Sequence, residues 1–383
     1  MRHADQVTYI ERMLGMVRTN TRDDGPGISH TSVEEYFDAD RYAREVSVLF
    51  RRYPVVVAFS GQLRKSGDFV THDETGQPIL VARGGDGKLR AFLNVCRHRS
   101  ATVELKPCGA GKRAFVCPYH GWSYDLAGRL VGISDGAWFG DIDRSQYALR
   151  PLAVAEKYGM VWVVPTPLNN GQSADLDIDS FLGAVKPDLE SWSMEGWDVH
   201  SSVPIRPRMN WKLVIDTFLE LYHFRYLHGA SVYPLFLDNI STYERMDRHL
   251  RFSAAKRTLV ELETQPRDKW RLLDHAIVLY QLFPNTVLAY TADHCGVFTS
   301  FPVSPDEAVM NVAILVDPKV RATRPESYWT TNQELILAAL DEDFSIGSTI
   351  QRNFRSGANR QQTFGKFEKA LGWYHREIDR ALL

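Results

Sequence analysis

Cys96-Arg97-His98 and, after eighteen intervening residues, Cys117-Pro118-Tyr119-His120 make a paired C-x-H and C-x-x-H. Each half supplies one thiolate and one imidazole. Such a set suits a 2Fe–2S cluster, with the cysteines on one iron and the histidines on the other. Histidine ligation leaves the cluster less negative than four thiolates do, so it accepts an electron more readily. The competing reading is structural zinc, which also takes Cys and His in equal number. A C2H2 finger keeps its two Cys together and its two His together, and this chain mixes them. Gly109, Gly111, Pro118 and Gly121 provide for the sharp turns that bring two loops over one cluster. Trp122 and Tyr124 follow closely enough to cover it, and backbone N–H groups of such loops can point at sulfur.

At 383 residues the chain is too long for a lone electron carrier and predicts two to three domains. Hydrophobic content of 44% and charged content of 24% are those of an ordinary globular protein. A formal net charge of −2 gives no electrostatic case for nucleic acid or an anionic membrane as partner. The start, Met1-Arg2-His3-Ala4-Asp5-Gln6, lacks the apolar run of a signal peptide, and no stretch of about 18 apolar residues predicts a spanning helix. Beyond the two cluster cysteines only Cys108 and Cys295 remain, read as free thiols in a reducing cytoplasm.

The pattern along the chain changes twice. Residues 1–51 read as a polar helical segment, with Tyr42, Val46, Leu49 and Phe50 as a short apolar face. From Val55 onward, short β-like runs alternate with Gly- and Asp-rich turns. They include 55–59, 79–82, 89–93, 114–116 and 160–164, so 52–166 is expected to be a small all-β domain carrying the cluster. The polar stretch 169–175 reads as a linker. The remainder, 167–383, mixes strands with helices. A helix is predicted over 211–227, strands over 250–262, 277–282, 286–290, 297–302 and 309–316, and a helical region over 325–383. An antiparallel sheet wrapped on long helices, α+β, is the expectation, with helix positions forming one wall of a pocket.

The helix candidate carries the second constellation. Asp216, Glu220 and His223 are spaced to share one helical face, among Leu213, Val214, Ile215, Phe218, Leu219 and Leu221. Buried charges in such a setting need partners or a metal. His228 lies about 140° from His223 on an ideal helix, so both reach one ion only if the helix distorts or ends near Leu227. Gly229 is placed for such an ending. Two histidines suit a 2-His-1-carboxylate iron site, which leaves positions open for oxygen. The alternative is a helix end with one exposed and one capping histidine.

With these motifs in order, the chain resembles the Rieske non-haem iron ring-hydroxylating oxygenases, specifically their large (alpha) subunit. The resemblance implies an all-β Rieske domain joined to a helix-grip catalytic domain. It implies Cys96, His98, Cys117 and His120 as cluster ligands, and His223, His228 and a later carboxylate as ligands of Fe(II). The acid three residues before the first iron histidine, here Glu220, would bridge His223 to His120 of a neighbouring subunit. Asp341-Glu342-Asp343 offers three carboxylates. The family register of Glu-Asp with Gln-Arg eight residues after the Asp fits Glu342-Asp343 and Gln351-Arg352, which selects Asp343. Asp341 and Glu342 are then read as charges favoured by a helix N-terminus, and His375 as structural. Many relatives carry Asn where this chain has Thr217, a difference that bears on substrate class.

The function implied is a terminal oxygenase component. NAD(P)H electrons would reach the cluster through a ferredoxin or flavin reductase, and an organic, aromatic substrate would be hydroxylated with O₂ at the iron. Asp216, Thr217, Phe224, Phe283 and Asn285 are the candidate substrate contacts. Two alternatives stand beside it. One is hydroxylation or N-/O-demethylation of a methylated or quaternary amine, for which an aromatic or acidic cage would serve. The other is an electron-transfer or binding protein without oxygen chemistry. The resemblance implies a cytoplasmic homotrimer, with or without a small beta subunit.

Overall fold

The computed structural model describes residues 1–169 and 172–383. Asn170 and Gly171, inside the stretch expected as a linker, lie outside the described residues. The chain divides into two compact units, 1–45 with 182–383, and 46–181. The first division falls within the helix Ala39–Arg52, six residues before the expected boundary at 51/52. The second falls fifteen residues after 166, because Tyr158 and Lys157 bind Asp179 and tie the following segment to the β unit.

The unit 46–181 is built on a seven-stranded antiparallel sheet. Its order is Val55–Phe59, Met160–Pro167, Pro151–Lys157, Leu89–Leu93, Ile79–Arg83, Phe69–His72 and Cys108–Gly109. A three-stranded sheet of Ala114–Val116, Ser123–Asp125 and Leu130–Gly132 completes it. Val55–Phe59 is buried at every position, which explains its unbroken apolar run. The core joins Phe69, Leu80, Phe92 and Phe115 to Cys96, Cys117, Trp122 and Tyr124. The two expected cluster cysteines thus grow directly out of the hydrophobic core.

The other unit wraps a second seven-stranded antiparallel sheet. Its order is Asp198–Ile205, Glu307–Val316, His294–Ser304, Thr286–Tyr290, Ala276–Leu282, His249–Lys256 and Phe236–Met246. The helix Trp211–Asp216 packs on the adjacent strands His294–Ser304 and Glu307–Val316, and the long helix Glu326–Asn353 packs on it. Helix Lys369–Leu382 packs on the edge strand Phe236–Met246 and its neighbour His249–Lys256. No helix among the described residues is long and apolar enough to cross a membrane.

Three expectations need correction. The helix expected over 211–227 ends at Asp216 and is followed by turns and a 3-10 segment Tyr222–Arg225. Thr217 Oγ1 donates to the Val214 carbonyl at 2.9 Å, a local bond that competes with helix propagation. The Glu220 carboxylate then accepts the N–H groups of Tyr222 and His223, which a continuing helix would have given to carbonyls. The strand expected over 250–262 stops at Lys256, and Arg257–Thr264 is 3-10. The C-terminal helical region is interrupted by the strand Gln361–Phe364, which pairs with Ser29–Ser32.

Candidate metal centres

The first centre sits on two loops of the β unit with the same hydrogen-bond pattern. The Cys96 N–H donates to the Ala101 carbonyl (2.8 Å) and the Ser100 N–H to the Cys96 carbonyl (3.0 Å). The Cys117 N–H donates to the Trp122 carbonyl (2.8 Å) and the Gly121 N–H to the Cys117 carbonyl (3.0 Å). Both loops turn through a left-handed residue, Ser100 (φ 61°) and Gly121 (φ 70°). The repeated loop places one cysteine at each base. Both thiols are buried, and the two histidines are half-buried at the tips, with ring centres 4.7 Å apart.

These donors fit a two-iron cluster better than one zinc ion. They form like pairs, Cys with Cys and His with His, and the four are not drawn round a single point. His98 Nδ1 is buried without a hydrogen-bond partner, as a ligand nitrogen would be in the absence of its metal. Trp122 stacks on the His98 ring at 5.0 Å and 8°, fixing its plane. Tyr124, fully buried, accepts the Arg97 N–H at 2.9 Å and lies 3.4 Å from Cys96 Sγ. Burial pushes the Cys117 thiol up, opposed by the N–H groups of Tyr119 and His120 that face its sulfur. Those same groups would stabilise a cluster sulfur.

The second centre lies in the other unit. His223, His228 and Asp343 bring one ligand atom each within 4.8 Å of one another, the only such triplet among the described residues. Asp343 Oδ1 lies 3.4 Å from His223 Nε2 and 3.2 Å from His228 Nε2. Both His223 Nε2 and Asp343 Oδ1 are buried and lack hydrogen-bond partners. A single helical turn links the histidines: the Leu227 N–H donates to the His223 carbonyl and the His228 N–H to that of Phe224. Because the α-helix has already ended at Asp216 and the 3-10 segment Tyr222–Arg225 gives way to turns before His228, the angle of an ideal helix does not apply to the pair.

Each imidazole is oriented from behind by a carboxylate. His223 Nδ1 is bonded to Glu220 and His228 Nδ1 lies 2.5 Å from Glu342 Oε2. The Ser231 hydroxyl donates to the same Glu342 oxygen at 2.8 Å. Carboxylate–histidine–metal chains of this kind fix the tautomer and raise ligand basicity. Burial disfavours a charge on either ring, yet the surrounding carboxylates outweigh it and raise both histidines. The site is built to draw a cation, and a metal ion fits it.

Asp341, Glu342 and Asp343 do not form a helix N-terminus. Their helix begins at Glu326, so the dipole account of Asp341 and Glu342 fails. Asp341 is exposed, Asp343 is buried, and Glu342 holds His228. Pro325, just ahead of the helix, was the sequence signal for this earlier start.

A cavity of about 710 Å³ opens beside the triplet, lined by His223, Asp343, Asp216, Thr217 and Glu220 among others. Asp216, Glu220 and His223 therefore meet on one wall without sharing a helix. Asp216 is fixed by Tyr36 Oη (2.6 Å) and His375 Nε2 (3.0 Å). Phe224 touches both imidazoles of the triplet, at ring distances of 5.0 and 5.2 Å, but is not in the cavity lining. Phe283 and Asn285 do not line it either. Both are buried, and the Asn285 amide donates to the Ser300 carbonyl at 3.0 Å as part of the scaffold.

Comparison with known proteins finds matches for both parts of the chain. A family model described as the ring hydroxylating alpha subunit catalytic domain matches residues 194–383. A model of the Rieske [2Fe-2S] domain matches residues 53–137. The glycine betaine monooxygenase oxygenase subunit of Pseudomonas aeruginosa is 33% identical over 190 residues, 49% of this chain and 42% of that protein. The match thus spans less than half the length of that relative. The carnitine monooxygenase oxygenase subunit of Escherichia coli is 26% identical over 334 residues, 85% of this chain and 84% of that protein. A crystal structure of the quaternary ammonium Rieske monooxygenase CntA superimposes with a TM-score of 0.79 at 19% identity, covering 93% of this chain and 96% of that one. Naphthalene 1,2-dioxygenase from Rhodococcus shares the fold at a TM-score of 0.75 and 18% identity, covering 98% of each chain.

Proposed function

The chain belongs to the Rieske ring-hydroxylating oxygenase large-subunit family, and from that premise we propose that it is the terminal oxygenase of a quaternary-amine monooxygenase system. Three ligand atoms within 4.8 Å of one another on the wall of a cavity carry this reading. An electron carrier would have no use for them, so the alternative without oxygen chemistry is set aside. The two curated relatives described are named for amines, which favours the amine alternative over the aromatic substrate expected first. The overall reaction inserts one oxygen atom into a C–H bond. It consumes O₂, two electrons and two protons, and releases one water.

When bound, the cluster supplies single electrons and the ferrous ion supplies the oxygen chemistry. Cys96, Cys117, His98 and His120 would hold the former, and His223, His228 and Asp343 the latter. Glu220 and Glu342 keep each Nδ1 proton in place so that Nε2 faces the ion. Leu213, Ile346, Ile350 and Leu371 line the cavity and would give the carbon skeleton of a substrate apolar surface to rest on. Electrons would arrive from NAD(P)H through a reductase in the cytoplasm. The neighbouring subunit's cluster would serve this chain's iron, as inter-subunit electron transfer is described for a quaternary ammonium Rieske monooxygenase of the same fold.

The test is substrate-dependent O₂ consumption by the iron-loaded protein with a panel of quaternary amines and aromatic acids. His223→Ala should abolish turnover and leave the cluster's visible spectrum intact. Turnover of the aromatics alone would return the reading to ring hydroxylation.

A further inference from the structure

The cavity beside His223 and Asp343 is charged with one sign. Asp216, Glu220, Asp343 and Glu368 line it, and among the described residues no lysine or arginine does. With a divalent ion bound and even one of the four carboxyls protonated, the lining stays net negative. Three of these groups are committed. Asp216 is held by Tyr36 and His375, Glu220 by His223, and Asp343 faces both iron-site imidazoles. Glu368 is anchored through the Gly365 N–H, which donates to Oε2 at 2.6 Å, and that one backbone bond leaves capacity for a ligand. Phe354 and Phe364 add aromatic surface to the same lining.

A substrate carboxylate entering this space would lose water and meet repulsion with no cationic side chain to receive it. A trialkylammonium group would meet a carboxylate and two rings. We propose that the substrate is an organic ammonium ion bearing no carboxylate, held by Glu368 with Phe354 and Phe364. This rests on the amine reading above and narrows it, since glycine betaine and carnitine both carry a carboxylate.

Choline, glycine betaine and 3,3-dimethylbutanol separate the possibilities. The first two share a trimethylammonium group and differ in alcohol against carboxylate, and the third is the neutral carbon isostere of choline. Calorimetric Kd and O₂-uptake KM on the iron-loaded holoenzyme should both be at least about 10-fold lower for choline than for either other compound, a factor worth about 1.4 kcal/mol. Glu368→Gln should shrink the choline-to-dimethylbutanol preference, with Glu368→Asp retaining part of it. A merely structural role would move both compounds together. Glycine betaine taken as well as choline overturns the inference and leaves the amine reading standing. The neutral isostere taken as well as choline, in the wild-type protein, overturns both.

Discussion

Ser100 and Gly121 occupy the same place in the two matching loops, each in the left-handed region, and only one of them is glycine. A non-glycine residue there costs about 1–2 kcal/mol. Ser100→Gly should therefore be tolerated and stabilise the β unit by about 1 kcal/mol, net of the entropy glycine loses on folding. Gly121→Ala should do the opposite. Its Cβ would meet Ser134 Oγ at 2.3 Å in addition to the backbone strain. Thermal melts followed by cluster absorbance decide the pair, and equal effects at both positions would break the equivalence of the loops. The C-x-H and C-x-x-H pair was plain in the sequence, but their common turn was not, because one loop uses Ser where the other uses Gly. Glu342 was misread for a similar reason: its role depends on His228, more than a hundred residues earlier. Glu342→Ala should cost about 10–100-fold in iron affinity or activity by freeing the His228 ring. Asp341→Ala, at an exposed position, should cost nothing measurable. If iron titration gives the reverse order, Asp343 is the wrong carboxylate.

Whole elements were legible where burial leaves an unbroken signature. Val55–Phe59, buried at every position, falls where its apolar run ends in turn residues. Glu307–Val316, buried over most of its length by sheet neighbours and the helix Trp211–Asp216, reads the same way. Elements formed by distant polar partners were not legible. Ser29–Ser32 and Gln361–Phe364 pair across some three hundred residues and present no apolar alternation. The break after Asp216 escaped notice because a side chain, Glu220, takes up the backbone N–H groups. The long helix Glu326–Asn353 offers a test at this scale. Gly347 lies four residues after Asp343, on the same face, and a Cβ there would meet Met209 Sδ at 2.3 Å. Alanine gains about 1 kcal/mol of helix propensity over glycine. Crowding the fully buried Met209 costs about 1–3 kcal/mol. Gly347→Ala should thus be neutral to destabilising by about 2 kcal/mol, and should weaken iron retention by shifting the helix under Asp343. A raised melting temperature with unchanged iron content would show that Met209 yields freely.

At the scale of the molecule, two proposed metal centres lie in separate units, and Glu220 is the residue proposed to join them across a subunit contact. One of its oxygens bonds His223 Nδ1 and the other accepts the N–H groups of Tyr222 and His223. A carboxylate offers about four lone-pair directions, so it can still accept an N–H from a second imidazole. Its side chain retains 14% exposure, which leaves a path for that partner. His120 of a neighbouring copy would supply the N–H. A head-to-tail contact of this kind closes into a ring, here proposed as three subunits. Glu220→Gln replaces an acceptor with an amide N–H and weakens the charge-assisted bonds on both sides. Reconstituted to full iron and cluster content, this variant should remain trimeric, and oxidation of its reduced cluster in a single turnover with substrate and O₂ should slow by about 100-fold or more. A similar loss on mutating Glu342 would instead point to ligand orientation as the cause, since Glu342 serves His228 alone in this scheme. The discriminating readout is thus the cluster oxidation rate at matched iron occupancy in the two variants. Glu220→Asp, shorter but still an acceptor, should recover part of the rate. Near-wild-type single-turnover rates in Glu220→Gln, or full activity from a demonstrated monomer, would remove the bridge and with it the need for a ring.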